Sequence, residues 1–138
     1  MKINIKRLHP DAVIPKYAKA GDAGMDLTAV SSSQFGRVRT YKTGIALEIP
    51  EGYVGLLFPR SSVFKTSMIM SNCVGVIDSG YRGEVMLKYI TSPASKPYES
   101  GDRVGQLIVM PYPAVEFQEV ETLTTSERGE GGYGSTGK

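Results

Sequence analysis

The stretch from Val74 to Glu84 reads Val-Gly-Val-Ile-Asp-Ser-Gly-Tyr-Arg-Gly-Glu, an apolar strand that stops at Asp78, turns through Ser79 and Gly80, and returns with Tyr81. That order can set a carboxylate and an aromatic ring on one hairpin. A carboxylate at a strand end can accept a proton from water, and a ring three positions on can wall the pocket beside it. The same residues also make an ordinary surface hairpin, since Asp, Ser and Gly are common in turns.

Four other polar islands carry groups suited to an anionic ligand. Pro59-Arg-Ser-Ser-Val63 follows the apolar run Leu56-Leu57-Phe58, so Arg60, Ser61 and Ser62 offer a cation and hydroxyl donors directly after a strand. Read by itself, that segment is equally a helix N-cap at Ser61 or Ser62 with a solvated Arg. Asp22 and Asp26 flank two glycines within Ala20 to Leu27, and Gly101 to Leu107 turns into a strand carrying the amide of Gln106. The tail from Thr124 has no aliphatic residue, but holds Arg128, Tyr133, Gly134, Ser135 and Thr136 among glycines. Such a segment cannot bury a core, and it reads either as a disordered terminus or as a strap whose backbone N–H groups wrap phosphate. Gly132 to Lys138 meets only the opening of a phosphate-loop pattern. The Ser or Thr that should follow the Lys, and the βαβ unit around it, are missing.

The elements that would position these groups are strands. Ile3 and Ile5, then Ile45, Leu47 and Ile49, then Val85, Leu87 and Tyr89 alternate with polar or smaller residues at period two. Residues 52–58 and 106–110 are short, nearly continuous apolar runs, the pattern of strands covered on both faces. Pro50-Glu51-Gly52, Ser92-Pro93 and Ser100-Gly101-Asp102 punctuate them as turns. Only Ser61 to Met68 has room for a short helix. Many short strands without an amphipathic helix predict an all-β fold, a compact barrel or sandwich, with at most one short helix. The expected organisation is one domain over 1–123 and a flexible Gly-rich tail over 124–138.

Sixteen basic and fourteen acidic residues leave a net charge of +2, too small a bias to predict nucleic acid or an anionic membrane as partner. No apolar segment approaches the length of a membrane span, and the N-terminus alternates apolar and charged residues, which predicts a soluble cytoplasmic protein. The single cysteine, Cys73, makes no internal disulfide and reads as a small buried apolar residue. A zinc deaminase would need at least two cysteines in a Cys-x-x-Cys arrangement, and a Ser-His-Asp hydrolase would have to use His9, the one histidine, next to Pro10.

Taken together and in order, Ala20 to Leu27, Pro59 to Ser62, Asn72 to Glu84, Gly101 to Ile108 and Arg128 to Gly137 resemble the five motifs of the trimeric dUTPase family. The resemblance spans the whole chain. It implies a jelly-roll-like β-barrel homotrimer with three shared active sites that hydrolyses dUTP to dUMP and pyrophosphate with Mg²⁺, limiting uracil in DNA and supplying dUMP. Three positions depart from the common family pattern: Gly80 for a second Asp, Ser62 for Gly and Tyr133 for Phe. An Arg-Ser-Ser element also occurs in the related dCTP deaminases, which rely on a Glu in the corresponding hairpin. Asp78 with Tyr81 points to dUTPase. The non-enzymatic alternative is a barrel of this family that binds nucleotide without turning it over.

Carried over by the resemblance, Asp78 is the general base for a water attacking the α-phosphorus, and Tyr81 lies against the deoxyribose where a 2′-hydroxyl would otherwise fit. Asn72, with the backbone of Gly75, Val76 and Ile77, reads the uracil edge. Arg60, Ser61, Ser62 and Gln106 contact phosphate and help place the water. Asp26 acts on Mg²⁺ through a water shell, or mainly holds the site together. Arg128 supplies a cation to the triphosphate, Tyr133 and Gly134 cover the base, and Ser135 and Thr136 bind the γ-phosphate.

Overall fold

The computed structural model describes residues 1–134. Ten strands follow one another as β1 (Asn4–Arg7), β2 (Met25–Thr28), β3 (Ser31–Phe35), β4 (Val38–Lys42), β5 (Ile45–Glu48), β6 (Tyr53–Phe58), β7 (Ile69–Met70), β8 (Gly75–Ile77), β9 (Met86–Ile90) and β10 (Arg103–Pro111). The one helical element is a 3₁₀ helix, Ser61–Thr66, inside the window expected for a short helix. Two four-stranded sheets form, in the orders β2-β10-β6-β8 and β3-β4-β9-β7, with β1 and β5 as a separate pair. All pairings are antiparallel. The expected all-β, jelly-roll-like fold is thus present, its wall made of three separate ladders.

The alternating segments place their apolar sets inward. Ile45, Leu47 and Ile49 are buried while Glu48 is exposed, and Val85, Leu87 and Tyr89 are fully buried. Three tyrosines lock the interior: Tyr41, Tyr89 and Tyr98 meet edge-on with ring centroids 5.7 to 6.0 Å apart. Such pairs each contribute about 0.5–1.5 kcal/mol beyond burial. The Tyr89 hydroxyl donates to the carbonyl of Val104 at 2.7 Å, and the Tyr98 N–H donates to the Tyr41 hydroxyl at 3.0 Å. Burial pushes the pKa of all three hydroxyls up, because a phenolate would lose its water.

The runs at 52–58 and 106–110 are covered on one face only. In β6, Gly55 and Leu57 are buried while Val54, Leu56 and Phe58 are half-buried, and in β10 Met110 is exposed. Within one protomer no second layer covers that outer face, so the apolar character exceeds what one chain buries. After Pro111 the chain leaves the sheet, and residues 112–130 are exposed with no strand or helix. Cys73 is also exposed, because it lies in the turn between β7 and β8 with φ at +57°. Its side chain points away from the core that its size would suit. No helix among the described residues is long and apolar enough to cross a membrane.

Candidate active site

Asp78 follows the last residue of β8 and is exposed. Its carbonyl accepts the N–H of Tyr81 at 3.1 Å, closing the expected tight turn. The strands on either side of that turn do not pair with each other. β8 bonds to β6 in one sheet, while β9 bonds to β4 and β7 in the other. Near its base the hairpin is zipped, with Ile69 opposite Ile90, Met70 opposite Tyr89 and the Ser71 N–H donating to the Lys88 carbonyl at 2.9 Å. Beyond Ser71 the chain crosses through Asn72 and Cys73 to the other sheet, and the hairpin splays open.

The opening is a pocket of about 310 Å³ lined by Ser71, Asn72, Ile77, Tyr81, Glu84, Met86 and Lys88. β8 is the outermost strand of its sheet, so one of its backbone edges has no strand partner. An unpaired edge presents alternating N–H and C=O groups to whatever enters. Gly75 and Ile77 point into the core and Val76 outward, so the backbone of these residues, more than their side chains, is what a flat ligand would meet. Gly75 is tight against Leu57, where an added Cβ would sit 3.0 Å from the Leu57 Cβ.

The turn is braced on all sides. The Tyr81 hydroxyl donates to the Glu84 carbonyl at 3.0 Å, and the ring lies so close over Gly83 that a side chain there would collide with it. Arg82 donates to the carbonyls of Ser79 and Tyr81 at 2.6 and 3.0 Å. Glu84 in turn accepts the Gly44 N–H at 2.8 Å, tying the hairpin to the end of the β4–β5 turn.

A second group gathers where β2, β6 and β10 lie side by side. Gln106 is opposite Asp26 on one flank and Phe58 on the other, so the chain leaving β6 carries Arg60 onto the same rung. Asp26 Oδ1 accepts from Arg60 Nε at 3.0 Å and Oδ2 from Arg103 Nη1 at 3.1 Å, with Gln106 Nε2 at 3.5 Å. The side chains of Asp26 and Arg60 are 17% and 24% exposed. Gly24 leaves room for the Gln106 amide, since a Cβ there would come within 3.2 Å of its Oε1. Arg60 Nη1 reaches Ser62 Oγ at 3.5 Å, and Ser61 is exposed. The 3₁₀ helix has Arg60 at its cap position with no side-chain cap bond, so neither serine serves as the N-cap that the segment also suggested.

Both oxygens of Asp26 are therefore committed to guanidinium groups, and no cluster of three or more His, Cys, Asp or Glu side chains occurs among the described residues. This donor set offers no direct metal cage. It suits a cation held by phosphate oxygens and met by the protein through water, as Mg²⁺ prefers. Arg103 is the residue that motif reading overlooked. Its place beside Asp102 in the Gly101 to Leu107 turn was visible, but its partner lies 77 positions away.

No hydrogen bond or ion pair joins the pocket group to the Asp26 group among the described residues of the protomer. The tail meets neither: Arg128 Nε donates to the Gly131 carbonyl at 3.0 Å, and Tyr133 and Gly134 are exposed at positive φ. Ser135 and Thr136 lie outside the described residues.

Comparison with known proteins supplies the remaining constraint. The family model described as dUTPase matches residues 11–137. A deoxyuridine 5′-triphosphate nucleotidohydrolase of Wolinella succinogenes is 43% identical over 143 residues, covering 100% of this chain and 95% of the relative. Among solved structures, the Staphylococcus bacteriophage 80alpha dUTPase with dUPNHPP matches with a TM-score of 0.84 at 30% identity, over 99% of both chains. A dUTPase mutant from phage phi11 of S. aureus, whose structure describes coordination of a structural Mg(II) ion, matches with a TM-score of 0.74 at 27% identity, over 88% of this chain and 98% of that one.

Proposed function

This chain belongs to the dUTPase family and is a dUTP nucleotidohydrolase, and from that premise we propose a mechanism in which Asp78 activates the attacking water. The observation that supports it is the splayed hairpin, a pocket with an unpaired strand edge on one side and Tyr81 on the other, with exposed Asp78 directly after the last residue of that strand. Uracil enters between Asn72 and the backbone of Gly75, Val76 and Ile77. Tyr81 packs on the deoxyribose. Asp78 takes a proton from water as the water oxygen bonds to the α-phosphorus, the bond from that phosphorus to the bridging oxygen breaks, and pyrophosphate leaves. Arg60, Gln106 and the serines Ser61 and Ser62 hold the phosphates, with Asp26 presenting Arg60 through its carboxylate. Mg²⁺ bound with the triphosphate would supply neutralisation of its charge, and Asp26 would meet that cation through water and not as a direct ligand. Arg128, Tyr133, Gly134, Ser135 and Thr136 close over the nucleotide. The reaction limits the dUTP available to DNA synthesis and supplies dUMP for dTMP.

A steric reading of sugar choice has a direct consequence. Tyr81→Ala is expected to raise kcat/KM for UTP relative to dUTP, because the ring occupies the space a 2′-hydroxyl needs. The two values measured side by side decide it, and an unchanged ratio assigns sugar discrimination to another residue.

The complete site requires more than one chain. The pocket group and the Asp26 group are unconnected in the protomer, and the arm after Pro111 exposes Val115, Phe117, Val120 and Leu123, the last two at 52% and 83%. Apolar side chains spaced along an exposed segment ask for cover from another molecule. A homotrimer with shared sites meets both needs. Trimers of Asp78→Asn chains, and trimers of chains cut after Thr125, should each be inactive, while hybrids of the two regain partial activity where an intact tail meets an intact Asp78. Inactive hybrids, with mixing verified by mass, would rule out tail sharing.

A further inference from the structure

We propose that Tyr89 is a positioning residue for the Asp26 group, acting through a β-bulge at Val104 that its hydroxyl locks. The proposal rests on the reading of that group as the seat of the phosphates.

Side chains on a strand alternate between its faces, so residues an odd number of positions apart point to opposite sides. Arg103 and Gln106 are three apart, yet both reach the carboxylate of Asp26, at 3.1 and 3.5 Å. The register explains how. Arg103 is opposite Thr28 and Gln106 opposite Asp26, but Gly105 is opposite Leu27, so over this step β10 carries one residue more than β2. The extra residue is Val104. The burial pattern records the same slip, since Val104 and Gly105 are buried one after the other before alternation resumes with Leu107 inward. An unbulged β10 that kept Gly105 and Leu107 inward would turn Arg103 into the core with them. The bulge returns its guanidinium to the face of Asp26.

Two side chains of β9, in the other sheet, hold the bulge in place. The extra residue of a bulge falls out of the ladder, so its buried backbone needs another partner. The Val104 carbonyl has one in the Tyr89 hydroxyl, which donates to it at 2.7 Å between two fully buried residues. Leu87 fills the space over Gly105, where an added Cβ would collide with the Leu87 Cδ2 and sit 2.9 Å from the Phe58 carbonyl. The bulge is therefore fixed from the side of the core, and Arg103 and Gln106 are aimed from beneath. A built-in contrast lies in the same ring cluster. The Tyr98 hydroxyl, whose ring meets Tyr89 edge-on, is buried with no hydrogen-bond partner among the described residues.

The test compares the wild type with Tyr89→Phe, Tyr98→Phe and Arg60→Met. Each Phe variant keeps its ring and loses one hydroxyl. Melting temperatures are measured first, at equal protein concentration, and binding of dUMP and α,β-imido-dUTP is then read at a temperature where the variants are folded. Tyr89→Phe should melt lower, because the Val104 carbonyl is left unpaired in the core. It is expected to weaken imido-dUTP about tenfold, as for a lost bond to a charged group, and dUMP, which lacks the β- and γ-phosphates, by less than about twofold. Tyr98→Phe should leave both affinities as in the wild type. A role in stability alone would lower the melting temperature of Tyr89→Phe and leave the ratio of the two affinities unchanged. That result overturns the proposal, as does an equal loss in Tyr98→Phe or a Tyr89→Phe chain that does not fold. Arg60→Met keeps the two failures apart. If it binds imido-dUTP as the wild type does, the phosphate reading of the Asp26 group falls; if it weakens imido-dUTP while Tyr89→Phe does not, only the role of Tyr89 falls.

Discussion

Asp78→Asn is expected to slow dUTP turnover by ~10²–10⁴-fold, the usual contribution of a positioned general base, while dUTP binding stays within an order of magnitude. The substitution keeps the shape of the side chain and replaces a proton acceptor with an amide. The turn does not depend on the carboxylate, because it is the backbone carbonyl of Asp78 that accepts the Tyr81 N–H, and Arg82 braces the same turn through the carbonyls of Ser79 and Tyr81. A loss of rate therefore reports chemistry and not collapse of the hairpin. Single-turnover rates and the dissociation constant of α,β-imido-dUTP separate the two. Near-normal turnover in the variant would remove Asp78 from the proposed mechanism.

Asp26→Ala should have the second largest effect, acting through the residues it holds. Its carboxylate is the shared acceptor of Arg60 and Arg103, with Gln106 close by. Removing it leaves two guanidinium groups adjacent without their counter-charge. Breaking a fully buried pair by removing one partner costs about 3–5 kcal/mol. The Asp26, Arg60 and Arg103 side chains are 17%, 24% and 56% exposed, so solvent screens part of this and about 1–3 kcal/mol is expected. At a domain of this size that corresponds to a fall in Tm of roughly 3–15 °C, compared at equal protein concentration because an oligomer's melting depends on it. Arg60 loses the partner that aims it, and kcat/KM for dUTP should fall by roughly tenfold or more. Unchanged melting together with unchanged kcat/KM would show that the Asp26 group neither supports the fold nor serves the phosphates.

Chemistry confined to one short segment could be read directly from the chain. Asp78, the tight turn and Tyr81 sit within four residues, and a strand ending at an acid followed by Ser-Gly already implies their juxtaposition. Strands with an apolar face were equally visible, since burial of Ile45, Leu47 and Ile49 follows from alternation alone. β3 was not. Its sequence, Ser-Ser-Ser-Gln-Phe, has no inward apolar set, all five residues are exposed, and it is a strand because β4 pairs with it. The splay of the hairpin was hidden for a related reason. Local spacing describes a turn, but which sheet each arm joins is decided by β6 on one side and by β4 and β7 on the other. The exposure of Cys73 depends on a left-handed backbone position that residue type alone does not predict. Arg103 shows the limit most plainly, as its role rests on a contact with Asp26 that exists only once β2 and β10 are paired.

Pyrophosphate release measured side by side on dUTP, dTTP, dCTP and UTP, with Mg²⁺ present, tests the central claim most directly. The pocket is proposed to read the base through fixed hydrogen-bonding groups and the sugar through the Tyr81 ring, so dUTP should be converted to dUMP and pyrophosphate with kcat/KM at least ~10²-fold above dCTP and UTP, while dTTP, which shares both the hydrogen-bonding edge and the sugar, isolates the effect of the 5-methyl group. Comparable turnover of dCTP or UTP, or no release of pyrophosphate from dUTP, would contradict it.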